Sequence, residues 1–333
     1  MEYRNRELMT KEITYILKEK LLKDYKKGNT KRGAHPKQLG LAKAHFNVVE
    51  NLDENLKTDL LKPGMSYSCF IRFSSGGNKI KSDKSKDIRG MAIKLVDVNG
   101  KKYSRDEKNT QDFIMLTIKT MPVANLKIFR DAMYYMVKKK KPVTLFYKLT
   151  KEKRLGLITE ILKNRKNQTS PLDVCYYSTT PYAYKNRVIK YCVVPKSQYK
   201  SELPIKLTQN YLTENMQNHL SQHDATFDFL VQFQTDKKDM PINDASVNWD
   251  ENKSPFIKVA EIVIPKQNIK TKQRFELCEN LSFSPGHSTI DHRPVGDLNI
   301  ARAEIYRELS KFRHIRNKKV LFEPTIKDYR NLR

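Results

Sequence analysis

The chain has 333 residues, with 64 Lys+Arg against 37 Asp+Glu and a formal charge of +27. At 38% hydrophobic and 10% aromatic residues it is too apolar for a disordered polycation and long enough to bury a sizeable core. It lacks the run of roughly 18 apolar residues that a membrane-spanning helix needs, and its first 20 residues mix acids and bases without an apolar signal core, so a cytoplasmic protein is expected.

In chain order, residues 1–30 place Ile13, Ile16, Leu17 and Leu21 at helical spacing among charges and break at Gly28, which predicts an amphipathic N-terminal helix or arm. A change to short β-rich runs follows, at 41–50, 66–74, 90–98 and 110–118, separated by Gly, Pro, Asp and Lys loops. Residues 121–168 read as mostly helical and lysine-rich. Further strands are expected at 187–194, 225–234 and 256–264, with a helix near 213–224, and Asn299–Arg316 carries a strong helical pattern. At least seven strands without βαβ alternation favour an α+β protein built on an antiparallel β-barrel with helical insertions, 31–333 forming one domain behind the N-terminal arm.

Cys69, Cys175, Cys192 and Cys278 are scattered and without CxxC pairing, against a disulfide framework or zinc knuckle. His219 and His223, four apart, could chelate a metal but lack a neighbouring acid and a third ligand, so a structural role is expected. Gly76-Gly77 reads as a turn and Trp249 as a packing residue. The excess charge invites a polyanion-binding reading, with nucleic acid or an anionic surface as partner. Its spread along the chain, with one short run at 138–141, favours a solvated basic surface.

On the C-terminal helix, Arg302, Tyr306 and Arg313 fall on one face at about 100° per residue. A cation one turn from a phenol favours the phenolate, and tyrosinate is a hard anionic ligand for ferric iron. Upstream, Arg32-x-x-His35 lies in the segment KRGAHPK, and Arg72-Phe73-Ser74 closes a strand whose alternation puts Arg72 and Ser74 on one face. Then come DIRGMAIK (87–94), a strand with Thr110 and Asp112, NLSFSPGH (280–287) and HRPVGDLNIAR (292–302).

In this order these segments, spanning roughly 30–316, resemble the haem catalase superfamily, and are most similar to its short catalase-like proteins. The resemblance implies an eight-stranded antiparallel barrel with a C-terminal haem-bearing helix, and haem b as cofactor. It implies that His35 is the distal histidine, oriented by Ser74, that Tyr306 is the iron ligand with Arg302 as its partner, and that Arg32, Arg72 and Arg313 hold the propionates, to which forked guanidinium groups are suited. The implied activity is oxidoreductase consumption of hydrogen peroxide or an organic hydroperoxide, of catalase or peroxidase type. The chain departs from the family where an asparagine is expected five residues after the strand aspartate and Thr117 stands instead. One hydroxyl donor replaces two amide donors, which keeps a fatty-acid hydroperoxide isomerase and a non-enzymatic haem carrier or sensor as alternatives. A basic polyanion-binding module is the rival of another class. Oligomeric state is not readable from the sequence.

Overall fold

The computed structural model describes residues 3–333. Helix α1 (Tyr3–Asp24) precedes strands β1 (Gln38–Val48), β2 (Ser66–Ser75), β3 (Arg89–Val96) and β4 (Thr110–Leu116). A helical insert follows: α2 (Leu126–Ala132), a π-helical turn (Met133–Lys138), α3 (Pro142–Lys151) and α4 (Gly156–Asn164). The second half contains β5 (Tyr176–Tyr177), β6 (Tyr182–Tyr184), β7 (Arg187–Pro195), α5 (Tyr211–Gln222), β8 (Ala225–Phe233) and β9 (Ile257–Ile264), and then α6 (Lys272–Asn280), α7 (Asp297–Arg316) and α8 (Ile326–Asn331).

The strands run β4-β3-β2-β1-β9-β8-β7 in one antiparallel sheet, and β5 closes the ring by pairing with both β4 and β7. Eight strands thus form a closed barrel, as expected, while β6 adds only a hairpin edge to β7. The sequence reading missed β5 and β6 because two- and three-residue strands carry no periodicity. Closure removes the exposed sheet edges that would otherwise invite aggregation. The mostly helical stretch expected at 121–168 is four short pieces, broken at Pro142 and at Lys140 and Lys153, both of which adopt a left-handed φ of 53°.

Alternation along β2–β4 divides the side chains between two faces. Ile71, Phe73, Met91, Ile93, Phe113 and Met115 enter the barrel core. There Phe113 lies 4.8 Å from Phe229 and 5.3 Å from Tyr191, and Phe46 lies 5.1 Å from Phe229, in tilted and edge-on ring contacts. The opposite face carries Phe70, Arg72, Ser74, Gly90, Lys94, Asp112 and Leu116, placed together by the register pairs Ser74↔Gly90, Gly90↔Leu116 and Lys94↔Asp112. This outer face is buried as well, every residue of β3 included, because the C-terminal elements cover it: Phe70 packs with Cys278, Leu281 and Tyr329.

Helix α1 buries Ile13, Ile16 and Leu21. Its Ile13 joins Leu126, Ala301 and Ile305 in a cluster that also receives Leu17 and Tyr306, so the N-terminal helix packs on α7. Arg6 reaches Asp297 at 3.1 Å, and Lys18 reaches Glu308 at 3.1 Å. All four cysteines are unpaired, and among the described residues no helix is long and apolar enough to cross a membrane.

Truncating Phe113 removes the ring shared by these contacts. Phe113→Ala is expected to cost about 3–5 kcal/mol in a urea titration, a full core-aromatic loss.

Candidate active site

The outer face of β2–β4 and helix α7 carry the residues singled out from the sequence, and the loop after α1 brings His35 onto that face. His35 holds a left-handed φ of 52°, which costs a non-glycine residue about 1–2 kcal/mol. Two bonds clamp it there. Its N–H donates to the Gly77 carbonyl at 3.1 Å, and its carbonyl accepts from Arg72 Nη2 at 2.6 Å. The imidazole lies against Gly90, where an added Cβ would fall 2.9 Å from both ring atoms Cε1 and Nδ1 and from Ser74 Oγ. Only glycine leaves room for that approach.

Ser74 Oγ donates to the Gly90 carbonyl at 3.4 Å and lies 3.1 Å from His35 Nδ1. With the serine hydrogen so used, Nδ1–H donates to Ser74 and Nε2 keeps the lone pair. Burial first, then the positive fields of Arg72, Arg89 and Arg302, push the His35 pKa down to about 3. His35 nonetheless keeps part of its surface accessible.

Arg32, Arg72 and Arg313 converge at the C-terminal end of α6. Arg32 Nη2 donates to the carbonyls of Cys278 and Leu281 at 2.8 and 2.7 Å, and Arg313 donates to those of Glu279 and Leu281. Their one carboxylate is Glu279, which stands 3.5 Å from Arg32, 3.7 Å from Arg313 and 3.4 Å from Lys31. Burial opposes the charge of Glu279, yet Arg32, Lys31 and Arg313 hold it below the usual carboxylate range. The cations remain in excess. Burial and neighbouring arginines push Arg72 down to about 10 and Arg313 to about 9, and Arg72 Nε is buried without a partner.

On α7, the Arg302 guanidinium carbon stands 5.5 Å from the centroid of the Tyr306 ring. Arg302 donates to Thr180 at 2.7 Å and to Asn299 at 3.1 Å, and its buried Nε is likewise unpartnered. Burial disfavours its charge, but the Tyr306 and Tyr182 phenols more than compensate and raise its pKa. Gly296 caps the start of the helix, and its φ of 79°, together with the Ile242 carbonyl oxygen that an added Cβ would meet at 2.7 Å, accounts for the glycine in HRPVGD.

Thr117 sits differently from the other members. Its hydroxyl oxygen accepts from the Arg89 backbone N–H at 3.0 Å and from Gln168 Nε2 at 3.3 Å, while its own N–H donates to the Arg89 carbonyl. Both lone pairs are engaged, so one hydrogen is what the hydroxyl can still offer. An amide does stand beside position 117, supplied by Gln168, whose Oε1 accepts from Arg89 Nε at 2.9 Å. Sequence spacing could not reveal this neighbour 51 residues away.

A second group escaped the sequence reading. Lys94 is wholly buried between Glu107 and Asp112, 2.7 Å from the latter, and His287 Nδ1 lies 2.9 Å from Asp112 while its Nε2 lies 3.2 Å from Asp106. Glu107, Asp112 and His287 could gather a metal cation, but the Lys94 ammonium already occupies that place. Burial and Lys94 work against protonation of His287, but the three carboxylates outweigh them and raise it to about 9. The network pins the segment after α6 to β4, since Asp112 also accepts from the Ser284 N–H at 2.9 Å. Tyr306, Phe283 and His287 line a cavity of about 70 Å³ beside it. The remaining sequence candidates are structural in place: His219 and His223 flank Tyr199 at 4.8 and 4.5 Å, Gly77 turns the chain at φ 74°, and Trp249 is buried.

No protein-family model and no curated protein sequence matches the chain. Solved structures do. A fungal catalase superposes with TM-score 0.67 at 18% identity over 88% of this chain and 61% of its own. A bacterial catalase gives 0.67 at 16% identity over 92% and 63%, and catalase A from Saccharomyces cerevisiae 0.66 at 16% over 91% and 67%. The chain therefore has a catalase-like fold and spans about two thirds or less of the length of these catalases.

Two consequences can be measured. Between pH 6.5 and 3 the unfolded chain protonates at position 35 while the folded one does not, so stability falls on acidification through that window, by at most about 1.4 kcal/mol per pH unit for one proton. Urea titrations at pH 7 and 5 should show a smaller loss for His35→Gln than for wild type; His292, pushed down to about 4 by burial, contributes equally to both. Lys94→Met strands two buried carboxylates. It should cost about 3–5 kcal/mol at neutral pH and less at pH 5, where those carboxylates can take up protons.

Proposed function

We propose that the protein is a haem-dependent, peroxide-consuming enzyme of catalase or peroxidase type. The observation that carries this reading is the arginine cluster. Two buried guanidinium groups, Arg72 and Arg313, and the half-buried Arg32 lie around a single carboxylate, Glu279, which pairs with Arg32 and Arg313, and such a site favours a further anion. Haem propionates supply two negative charges, and Arg32, Arg72 and Arg313 would hold them. Were haem bound, Tyr306, with Arg302 beside it, would hold the iron, and His35 would serve as the proton carrier. Bound haem would supply a redox-active iron able to cleave an O–O bond.

The work left to the chain is proton handling and orientation. His35 Nε2, uncharged throughout the physiological range, takes a proton from one peroxide oxygen and returns it to the other. Ser74 holds the ring's orientation, and the close seat on Gly90 limits how far it swings. Arg302 lies against the Tyr306 ring and holds its position on the helix face. Because the oxygen of Thr117 is engaged by Arg89 and Gln168, stabilisation of a small peroxide is weaker than an amide there would give, which favours organic hydroperoxides over hydrogen peroxide disproportionation. The same observation supports a fatty-acid hydroperoxide isomerase or a haem carrier as the second reading.

Titration with hemin is expected to give a Soret band that changes in Tyr306→Phe, and Arg72→Ala should weaken hemin affinity about tenfold or more. Oxygen evolution from hydrogen peroxide and loss of a fatty-acid hydroperoxide, measured side by side, should favour the latter. Hemin binding without either reaction leaves the carrier reading; no hemin binding, with salt-dependent retention on heparin, favours the polyanion module.

A further inference from the structure

We propose that the helical insert over residues 136–163 is a docking face for an anionic lipid bilayer, an inference independent of the haem reading. A surface helix needs one apolar stripe to pack, and α3 has two. Leu145 and Leu149 face inward, packed with Ala124, Ile128 and Leu157. On the other side Val143, Phe146 and Tyr147 are 78%, 53% and 57% exposed, and Met136 and Leu162 from the flanking segments add 54% and 61%. Apolar side chains of this size gathered on one insert mark an interaction surface.

The charge around them is one-sided. Residues 136–163 contain nine Lys or Arg against two acids, Glu152, which is engaged by Lys127, and the exposed Glu160. Lys148 and Arg154 are paired with Asp131 and Asp244. Lys138, Lys139, Lys140 and Lys141 are exposed, and among the described residues no carboxylate forms a salt bridge with them. Instead Lys138 lies 5.3 Å from the ring centroid of Tyr15, and Lys139 lies 5.6 Å from that of Tyr134. The left-handed turn at Lys140 then leads directly into α3 with its outer apolar stripe.

An anionic bilayer matches both halves of this surface, lysines against head groups and the Val143–Phe146–Tyr147 stripe in the acyl boundary. A nucleic-acid backbone would answer the lysines but would leave Val143, Met136 and Leu162 in water. A groove of about 330 Å³ lies beside the patch, between Leu157 and Ile161 of α4 and the segment Ile118–Pro122 that leaves β4 just past Thr117. Met121 adds to its apolar part, while Lys153, Arg154, Glu160 and Asn248 line it as well.

The test is co-sedimentation of the full chain with vesicles of phosphatidylcholine containing about a third phosphatidylserine, against phosphatidylcholine alone. Binding is expected only to the anionic vesicles. It should fall about a hundredfold when Lys138, Lys139, Lys140 and Lys141 are all changed to Gln, and about tenfold or more in the Val143→Asp, Phe146→Asp double variant. Those substitutions are at exposed positions, and an unchanged thermal melt verifies the fold. The proposal is overturned if wild type ignores anionic vesicles, if the aspartate pair leaves vesicle binding intact, or if duplex DNA binds more tightly than the vesicles and is unaffected by that pair.

Discussion

Three guanidinium groups gather near a single carboxylate, Glu279, which pairs directly with two of them, Arg32 and Arg313, and much of the molecule is organised around supporting that imbalance. Taking a cation out of water costs several kcal/mol unless partners replace its hydration. Here the replacements are mostly backbone carbonyls: Cys278, Glu279 and Leu281 for Arg32 and Arg313, and His35 for Arg72. The loop after α1, strand β2 and helix α7 are thereby tied to one another through residues 278–281. The bond from Arg72 to the His35 carbonyl also links the charge cluster to the strained backbone of the histidine. Removing the Arg72 guanidinium would therefore also release the histidine loop in this architecture.

The barrel supports this arrangement by being buried on both faces. Its interior is filled by aromatic rings, while the outer face of β2–β4 is covered by the C-terminal helices. Covering a sheet face that carries Lys94 and Asp112 requires matching charges from the cover, and His287 with Glu107 and Asp106 provides them. In this second ionic network cations and carboxylates sit in mutual contact, Lys94 and His287 against Glu107, Asp112 and Asp106. The contrast with the arginine cluster is physical. Of the two buried charge groups on the same sheet face, one is balanced internally and the other remains short of negative charge.

The positive excess of the chain divides accordingly. A few arginines are buried among backbone carbonyls and Glu279, whereas the lysines of the helical insert are at the surface beside exposed apolar side chains. Net charge alone treats the two alike. Exposure and partners separate them, because a buried cation is governed by its desolvation and an exposed one by screening and by the surfaces it meets.

The barrel class was legible because β2, β3 and β4 are long enough to display their pattern, and α7 because its helical period is unbroken. The arginines, His35, Ser74 and the Arg302–Tyr306 pair were legible as residues in ordered local motifs. What the sequence by itself determined is therefore local: which side chains share a strand face or a helix face. Tertiary structure alone decided what meets across long separations. It closed the barrel through the two-residue β5, gave Glu279 to three distant cations, set Gln168 beside Thr117, and joined Lys94 to His287. Periodicity reports the geometry of one element, whereas these contacts depend on how separate elements pack, and no spacing rule carries that information.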